Sequence, residues 1–272
     1  RCETALAEAE VEHEDHVSPS IYVRFEIGNK NILKIKDLND KTVSLLIWTT
    51  TPWTLMANVA VAVHAAFQYS VVDIGKEALI IESSLCEHVL SKAGIKKFKV
   101  LKELSGEGLT GLHYKHPFGM KKECRVVIAD YVTKEDGTGL VHTAPGHGQE
   151  DFETGLRHNL DVLMPVDSRG IYTEAASKYT GEHVFKANEK IIADLQTEGT
   201  LFASEDVNHS YPHCWRCKTP VIFRATEQWF LRIDHDHLRC KLKDAIKHNV
   251  QWIPPSGEER IAGMVATRPD WC

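Results

Sequence analysis

The 272-residue sequence has no apolar run near the roughly 20 residues that a membrane-spanning helix requires; VAVAVHAAF over 59–67 is among the longest. It also has no excess of positive charge. The net charge is −6, which removes any whole-chain attraction to nucleic acid and leaves only local basic clusters. Those clusters are Lys96, Lys97, Lys99 and Lys102, then Lys115, Lys121, Lys122 and Arg125; each reads as a solvated face. The seven cysteines are an odd set without the spacing of a disulfide framework, and Cys86, Cys124 and Cys240 read as reduced structural thiols in a reducing compartment. There is no internal repeat, low-complexity linker, signal peptide or initiator methionine, so the chain from Arg1 to RPDWC reads as a piece of a longer one.

What is present is ordinary globular material, 43% hydrophobic and 26% charged. The length suffices for one substantial core with appendages. Alternation predicts strands at SIYVRFEIG (20–28), VSLLIWTT (43–50) and YSVVDIG (69–75), and again at FKVLKEL (98–104) and RVVIADYVT (125–133). Helical spacing and a closing glycine predict a helix over LIIESSLCEHVLSKAG (79–94). Shorter helices are predicted at DFETGLRHNL (151–160) and KANEKIIADLQTEG (186–199), the second burying Ile191, Ile192 and Leu195. Many strands without regular βαβ alternation indicate an α+β domain built on a barrel or strongly curved sheet. Residues 1–17 and 206–272 are richer in charge, histidine and aromatics and read as connecting arms around a core of 18–205.

Several motifs carry dull readings. Gly106, Gly108 and Gly111 match G-x-G-x-x-G with Asp130 downstream, but Pro117 and Gly119 forbid the helix that a dinucleotide site needs after its glycines. HEDH (13–16) and DHDH (234–237) read as charged surface. Cys214 and Cys217 form a C-x-x-C that a strand, not a helix, follows, so a zinc knuckle fits better than a redox pair. Cys2 is a candidate third ligand, with a fourth expected outside the sequence.

Two stretches hold the chemistry. In WTTTPWTLMAN (48–58), Pro52 removes a backbone donor, so the strand stops and leaves the groups of Thr49, Thr50 and Thr51 in need of polar partners. In GTGLVHTAPGHGQEDF (137–152), Gly137 and Gly139 make a tight turn and a strand presents Leu140, His142 and Ala144 on one face. A helix then opens near Gln149, with Asp151 in its first turn, where the helix dipole favours the ionised carboxylate. Asp151 is either a helix-start acid or a carboxylate suited to an ammonium group, and His142 either a packed core histidine or part of a site.

Together these stretches resemble the editing domain of the isoleucyl-tRNA synthetase family, the large insertion of the class I catalytic domain; HSYPHCWRCKTPVIFRATEQWF and RPDWC are also similar to it. The T-T-T-P-W-T and HTAPGHG forms look like the bacterial or organellar type. The resemblance implies a β-barrel-like editing fold with connecting arms, over 1–17, 18–205 and 206–272 as above. It implies hydrolysis of valyl ester on tRNA(Ile), with valyl-adenylate a second candidate substrate, because one methylene is worth only roughly 1–3 kcal/mol, a magnitude known from isoleucine-valine discrimination and not obtained from this chain.

By matched position, Asp151 would bind the α-ammonium and His142 would limit side-chain size. Thr49, Thr50 and Thr51, with Thr54 and Asn58, would position the ester, the terminal adenosine and the attacking water, while Trp53 shapes the adenosine side. No serine or cysteine nucleophile is implied. The implied partners are the valine-bearing 3′ end of tRNA(Ile) and the remainder of a synthetase chain, in a bacterial cytoplasm or organellar matrix, with no membrane and a monomeric fragment. Zinc would be structural, and editing would need no cofactor. HIGH-type and KMSKS-type signatures do not occur, so no ATP-dependent ligation is expected. Met56 stands where the family usually has a second proline. The alternative reading is a non-catalytic tRNA-binding or zinc-knuckle scaffold.

Overall fold

The computed structural model describes residues 2–38, 40–120 and 124–271, so Lys121 and Lys122 of the second basic cluster lie outside the described residues. The chain divides into two compact units, Arg1–Ala225 and Thr226–Cys272. In the first unit the elements are β1 (Val11–Glu26), β2 (Thr42–Thr49), β3 (Ala60–Val63), β4 (Gln68–Asp73), β5 (Glu77–Glu82), α1 (Cys86–Lys92) and β6 (Lys99–Ser105). There follow the one-turn α2 (Gly106–Leu109), β7 (His113–Tyr114), β8 (Cys124–Ile128), β9 (Val141–Thr143), α3 (Gln149–His158), α4 (Val184–Thr197) and β10 (Leu201–Cys214).

All ten strands join one mixed sheet. Its main path is β6-β4-β5-β2-β9-β3-β8-β7, with β1 against β2 and β10 against β1. The path curls back on itself. Ile27, just beyond β1, bridges Tyr114 of β7; the Lys115 amide donates to the Glu26 carbonyl and the Gly28 amide to the His113 carbonyl, both at 2.9 Å. The ring β1-β2-β9-β3-β8-β7 is therefore closed, which satisfies edges that would otherwise stand open. This is the barrel expected from the pattern of strands.

Inside, Phe25, Leu45, Ile47, Val61, Val63, Ile80 and Tyr114 share one apolar cluster with α4. That helix buries Val184, Ala187, Ile191 and Leu195, spaced to fall on one face, while Ile192 is half-buried. The expected turn at 137–139 is present. Gly137 and Gly139 have φ of +74° and +72°, and a Cβ on Gly139 would lie 2.4 Å from the Glu82 Cβ, so no other residue fits without displacement.

Three expectations change. Residues 79–82 form part of β5 rather than the start of a helix, and α1 begins only at Cys86. The run is apolar because β5 is buried between β2 and β4, and a short apolar run does not reveal its period. Glu82 marks the switch by accepting the Ser84 amide at 2.8 Å. The strand predicted over 125–133 stops at Ile128, and Tyr131 sits in a turn. His16 of HEDH is half-buried, its ring 5.3 Å from Tyr211 and 5.4 Å from His213. The glycine triplet at 106–111 carries only α2, which starts at the first glycine and ends before the third. The β1–β10 ribbon runs unbroken through 17/18 and 205/206. Cys86 and Cys124 are buried and Cys240 is exposed.

The second unit pairs α5 (Leu238–His248) with α6 (Gly257–Thr267). Arg239 ties them, donating to the Val265 carbonyl at 2.6 Å and the Arg268 carbonyl at 2.7 Å.

The barrel wall near the 137–139 turn hangs on one hydroxyl. The fully buried Tyr69 donates to the Gly139 carbonyl and accepts the His64 amide, both at 2.9 Å. Tyr69→Phe leaves both backbone groups unpaired and is expected to cost about 1–3 kcal/mol, read as a lowered urea midpoint at unchanged slope.

Candidate functional site

The site starts from the end of β2. Pro52 has no amide hydrogen and takes the first position of a tight 3-10 turn, Pro52–Ala57, with Thr51 as its cap at φ −124°. The turn returns Thr54 towards Thr51, and the Thr54 hydroxyl donates to the Thr51 carbonyl at 2.8 Å. The hydroxyl oxygens of Thr49 and Thr51, and of Thr51 and Thr54, are each 3.2 Å apart. The Thr49 hydroxyl also accepts the Thr51 amide at 3.1 Å.

β9 brings the second stretch alongside. It pairs antiparallel with β3, Val61 opposite His142, and Trp48 of β2 bridges Val141. His142 Nε2 thereby lies 2.8 Å from the Thr54 hydroxyl, and its Nδ1 lies 3.5 Å from Asn58 Nδ2. Because the Thr54 hydrogen is committed to the Thr51 carbonyl, its oxygen accepts and His142 carries the hydrogen on Nε2. Asn58 completes the chain, donating to the Ala60 carbonyl at 2.9 Å and accepting the Tyr114 hydroxyl at 2.5 Å. Thr54, Asn58 and His142 are all buried. Burial pushes the His142 imidazole down to about 4, with His147 adding repulsion, so it is neutral at ordinary pH.

Asp151 lies in the first turn of α3. One oxygen accepts the Ala144 amide at 2.9 Å and the other the Tyr131 hydroxyl at 2.8 Å. The sequence reading had the helix dipole favouring the ionised carboxylate; the balance runs the other way. Burial raises the Asp151 pKa, and the Ala144 amide, the Tyr131 hydroxyl and His147 only partly oppose it. Trp53 is buried, with its amide on Asn188 Oδ1 of α4 at 3.0 Å and its carbonyl accepting the Tyr172 hydroxyl at 2.5 Å. Its ring meets His147 edge-on at 4.8 Å.

Thr49, Thr51, Thr54, Asn58 and His142 thus form one hydrogen-bonded set, with Asp151 attached through Ala144, two residues beyond His142. Thr50 is half-buried, and its hydroxyl has no hydrogen bond to another described residue. Tyr114, Tyr131, His147 and Asn188 were not foreseen as part of this set. Only His147 stood within a quoted motif; the other three are brought in by tertiary contacts that no local signal marks. A separate hollow of about 290 Å³ is lined by Lys30, Asn31, Lys34, Ile35, Lys36 and Leu38, none of them in this set.

The three cysteines also meet. The Sγ atoms of Cys2, Cys214 and Cys217 lie within 4.8 Å of one another. Cys217 contacts the Thr219 hydroxyl at 2.9 Å, and that hydroxyl and the Thr219 amide lower its thiol to about 6.

A histidine with a folded pKa near 4 and an ordinary unfolded one leaves the unfolded chain binding more protons between about pH 6.5 and 4. Stability contributed by neutral His142 is full above 6.5 and falls as pH drops through that window, on the order of 3 kcal/mol in all. His142→Gln is expected to flatten this part of the profile, measured as urea midpoints across the window.

A family model described as "tRNA synthetases class I (I, L, M and V)" matches residues 1–272. Among curated relatives, the chain is 50% identical over 270 residues to an isoleucine–tRNA ligase of Petrotoga mobilis, covering 99% of this chain and 28% of that protein. It is 49% identical to the isoleucine–tRNA ligase of Desulfotalea psychrophila, covering 100% of this chain and 29% of that protein. The chain thus spans under a third of the length of these relatives. Solved structures agree in fold. A GlLeuRS-CP1 crystal structure superposes with a TM-score of 0.57 at 15% identity, covering 68% of this chain and 98% of that one. The cytosolic leucyl-tRNA synthetase editing domain of P. knowlesi gives 0.57 at 11% identity, covering 69% and 96%. A closed mixed barrel with the fold of class I synthetase editing domains, matched end to end by isoleucine enzymes, places this chain in the class I tRNA synthetase family.

Proposed function

We propose that this chain hydrolyses the ester of valine misattached to the 3′ end of tRNA(Ile), acting as the editing part of a longer isoleucine–tRNA ligase. The observation that carries the proposal is the hydrogen-bonded union of the 49–58 and 142–151 stretches. A substrate carbonyl laid against Thr49, Thr50 and Thr51 meets hydroxyl and amide dipoles, of which the Thr50 hydroxyl has no protein partner to give up. Water attacks that carbonyl, helped by those dipoles and by the neighbouring ribose hydroxyl. Asp151, ionised once an ammonium is beside it, holds the α-amino group. The neutral His142 is the size filter. Held at both ring nitrogens, it does not swing aside for one more methylene, which is the mechanical requirement for excluding isoleucine. Bacterial relatives support a cytoplasmic setting, with tRNA and the remainder of a synthetase as partners.

The test is deacylation of valyl-tRNA(Ile) and isoleucyl-tRNA(Ile). Wild type is expected to release valine alone, with release reduced 100-fold or so in Asp151→Asn and isoleucine also released by His142→Ala. Equal valine release by wild type and Asp151→Asn would leave a non-catalytic module.

The three thiols fit zinc. Tetrahedral bonds of about 2.3 Å separate thiolates by about 3.8 Å, close to the observed clustering. Cys2, Cys214 and Cys217 would hold the ion and fix the arm without touching the ester. Titration with cobalt(II) is expected to give thiolate charge-transfer bands in wild type, abolished in Cys217→Ser; identical spectra would remove the metal assignment.

A further inference from the structure

Buried polar atoms of the site without a hydrogen-bond partner among the described residues are Trp53 Nε1, Thr143 Oγ1 and His147 Nε2. The last is the most informative. His147 is 8% exposed, and its Nδ1 lies 2.9 Å from the Phe223 carbonyl. A carbonyl only accepts, so the ring hydrogen is on Nδ1 and Nε2 is a bare lone pair. Burial lowers the pKa of this imidazole, and the nearby Arg224 lowers it further against the pull of Asp151 and the Phe223 carbonyl. The ring is neutral and its free nitrogen is an acceptor. Buried acceptors are rarely left without a hydrogen from protein, water or ligand.

Its surroundings indicate which. The His147 amide donates to the Ala144 carbonyl at 2.8 Å, and the amide of the same Ala144 holds Asp151. Histidine and carboxylate are therefore both tied to Ala144, His147 from the turn between β9 and α3 and Asp151 from the first turn of α3. Asp151 already takes one protein hydrogen on each oxygen, which limits what it offers an incoming group. An ammonium brings three hydrogens, all needing acceptors when buried. A carboxylate supplies one direction; a neutral lone pair beside it supplies another without adding a charge to bury.

We propose that His147 Nε2 accepts a hydrogen bond from the α-ammonium of the bound aminoacyl group, making His147 a second ammonium ligand beside Asp151. This rests on the editing reading above. Phe223 is then a positioning residue through its carbonyl, because it dictates which ring nitrogen is free.

Calorimetric binding with the full chain tests it, using two probes. One is adenosine carrying valine through an amide in place of the ester; the other carries 2-hydroxyisovalerate, which lacks the ammonium. His147→Asn keeps a donor near Nδ1 for the Phe223 carbonyl but has no acceptor at the Nε2 position, whereas His147→Gln puts an amide oxygen there. H147N is expected to weaken the valyl probe about 10- to 100-fold while leaving the hydroxy probe within about 2-fold, and H147Q to recover part of the loss. Equal weakening of both probes overturns the proposal in favour of a water or packing role, and no weakening of either means a trapped water only. Asp151→Asn separates the two levels. If it selectively weakens the valyl probe and H147N does not, only the histidine assignment falls; if wild type binds neither probe, the editing reading falls with it.

Discussion

The candidate site is held together by a buried chain of hydrogen bonds running from Tyr114 through Asn58 and His142 to Thr54 and the Thr51 carbonyl. Inside an apolar barrel, such groups are tolerated only when each donor finds an acceptor. The chain satisfies itself in one sense only, hydroxyl to amide to imidazole to hydroxyl to carbonyl. That order fixes the His142 tautomer, the rotamer of Thr54 and the path of the 3-10 turn together. None of the members can move alone. The geometry requires β3 to lie between β8 and β9, so the closed topology and the polar chain specify each other.

Asp151 shows the opposite arrangement. Two donors hold it, yet burial still raises its pKa from the ordinary aspartate value. A group meant only to cap α3 would lie exposed and lowered by the helix dipole. The folded chain instead carries a carboxylate whose ionised form is under-compensated, a condition that an incoming cation relieves. His142 is depressed by the same burial, but its neutral form is fully bonded. The same burial thus leaves one ionisable group under-compensated and the other satisfied in its neutral form.

How far the sequence was legible follows from which interactions are local. Pro52 ending β2, the 137–139 turn and the opening of α3 at Gln149 are local effects of missing donors, positive φ and helix starts, and they were readable. The face expected to carry Leu140, His142 and Ala144 is not marked by burial, since Thr143 between them is fully buried too and β9 spans only Val141–Thr143. The start of α1 was not readable, because LII in β5 is apolar for the sake of its two neighbouring strands. Tyr131 was read as strand and turns out to be the hydroxyl on Asp151. Asn188, more than a hundred residues from the amide it accepts, and Tyr114, whose hydroxyl meets Asn58 only when the barrel closes, leave no trace in their own neighbourhoods. The threonines were visible as a strand end; that the Thr50 hydroxyl meets no hydrogen-bond partner among the described residues was not.

The segment after Cys217 runs from the cysteine turn back to the candidate site within the first compact unit. The Cys214 amide bonds the Thr219 carbonyl, the Val221 amide bonds the Pro212 carbonyl, and the Ala225 amide bonds the Gly146 carbonyl. Between the last two stands Phe223, whose carbonyl holds His147, while Arg224 donates twice to the Val166 carbonyl. Residues 219–225 are thus stitched at one end to the cysteine turn and at the other to the loop that carries the Asp151 partner. The bonds of Cys214, Val221 and Ala225 are made by backbone groups and survive side-chain substitution along the segment, whereas those of Arg224 come from its guanidinium. A continuous run of hydrogen bonds therefore links the C-x-x-C turn to the loop that carries His147.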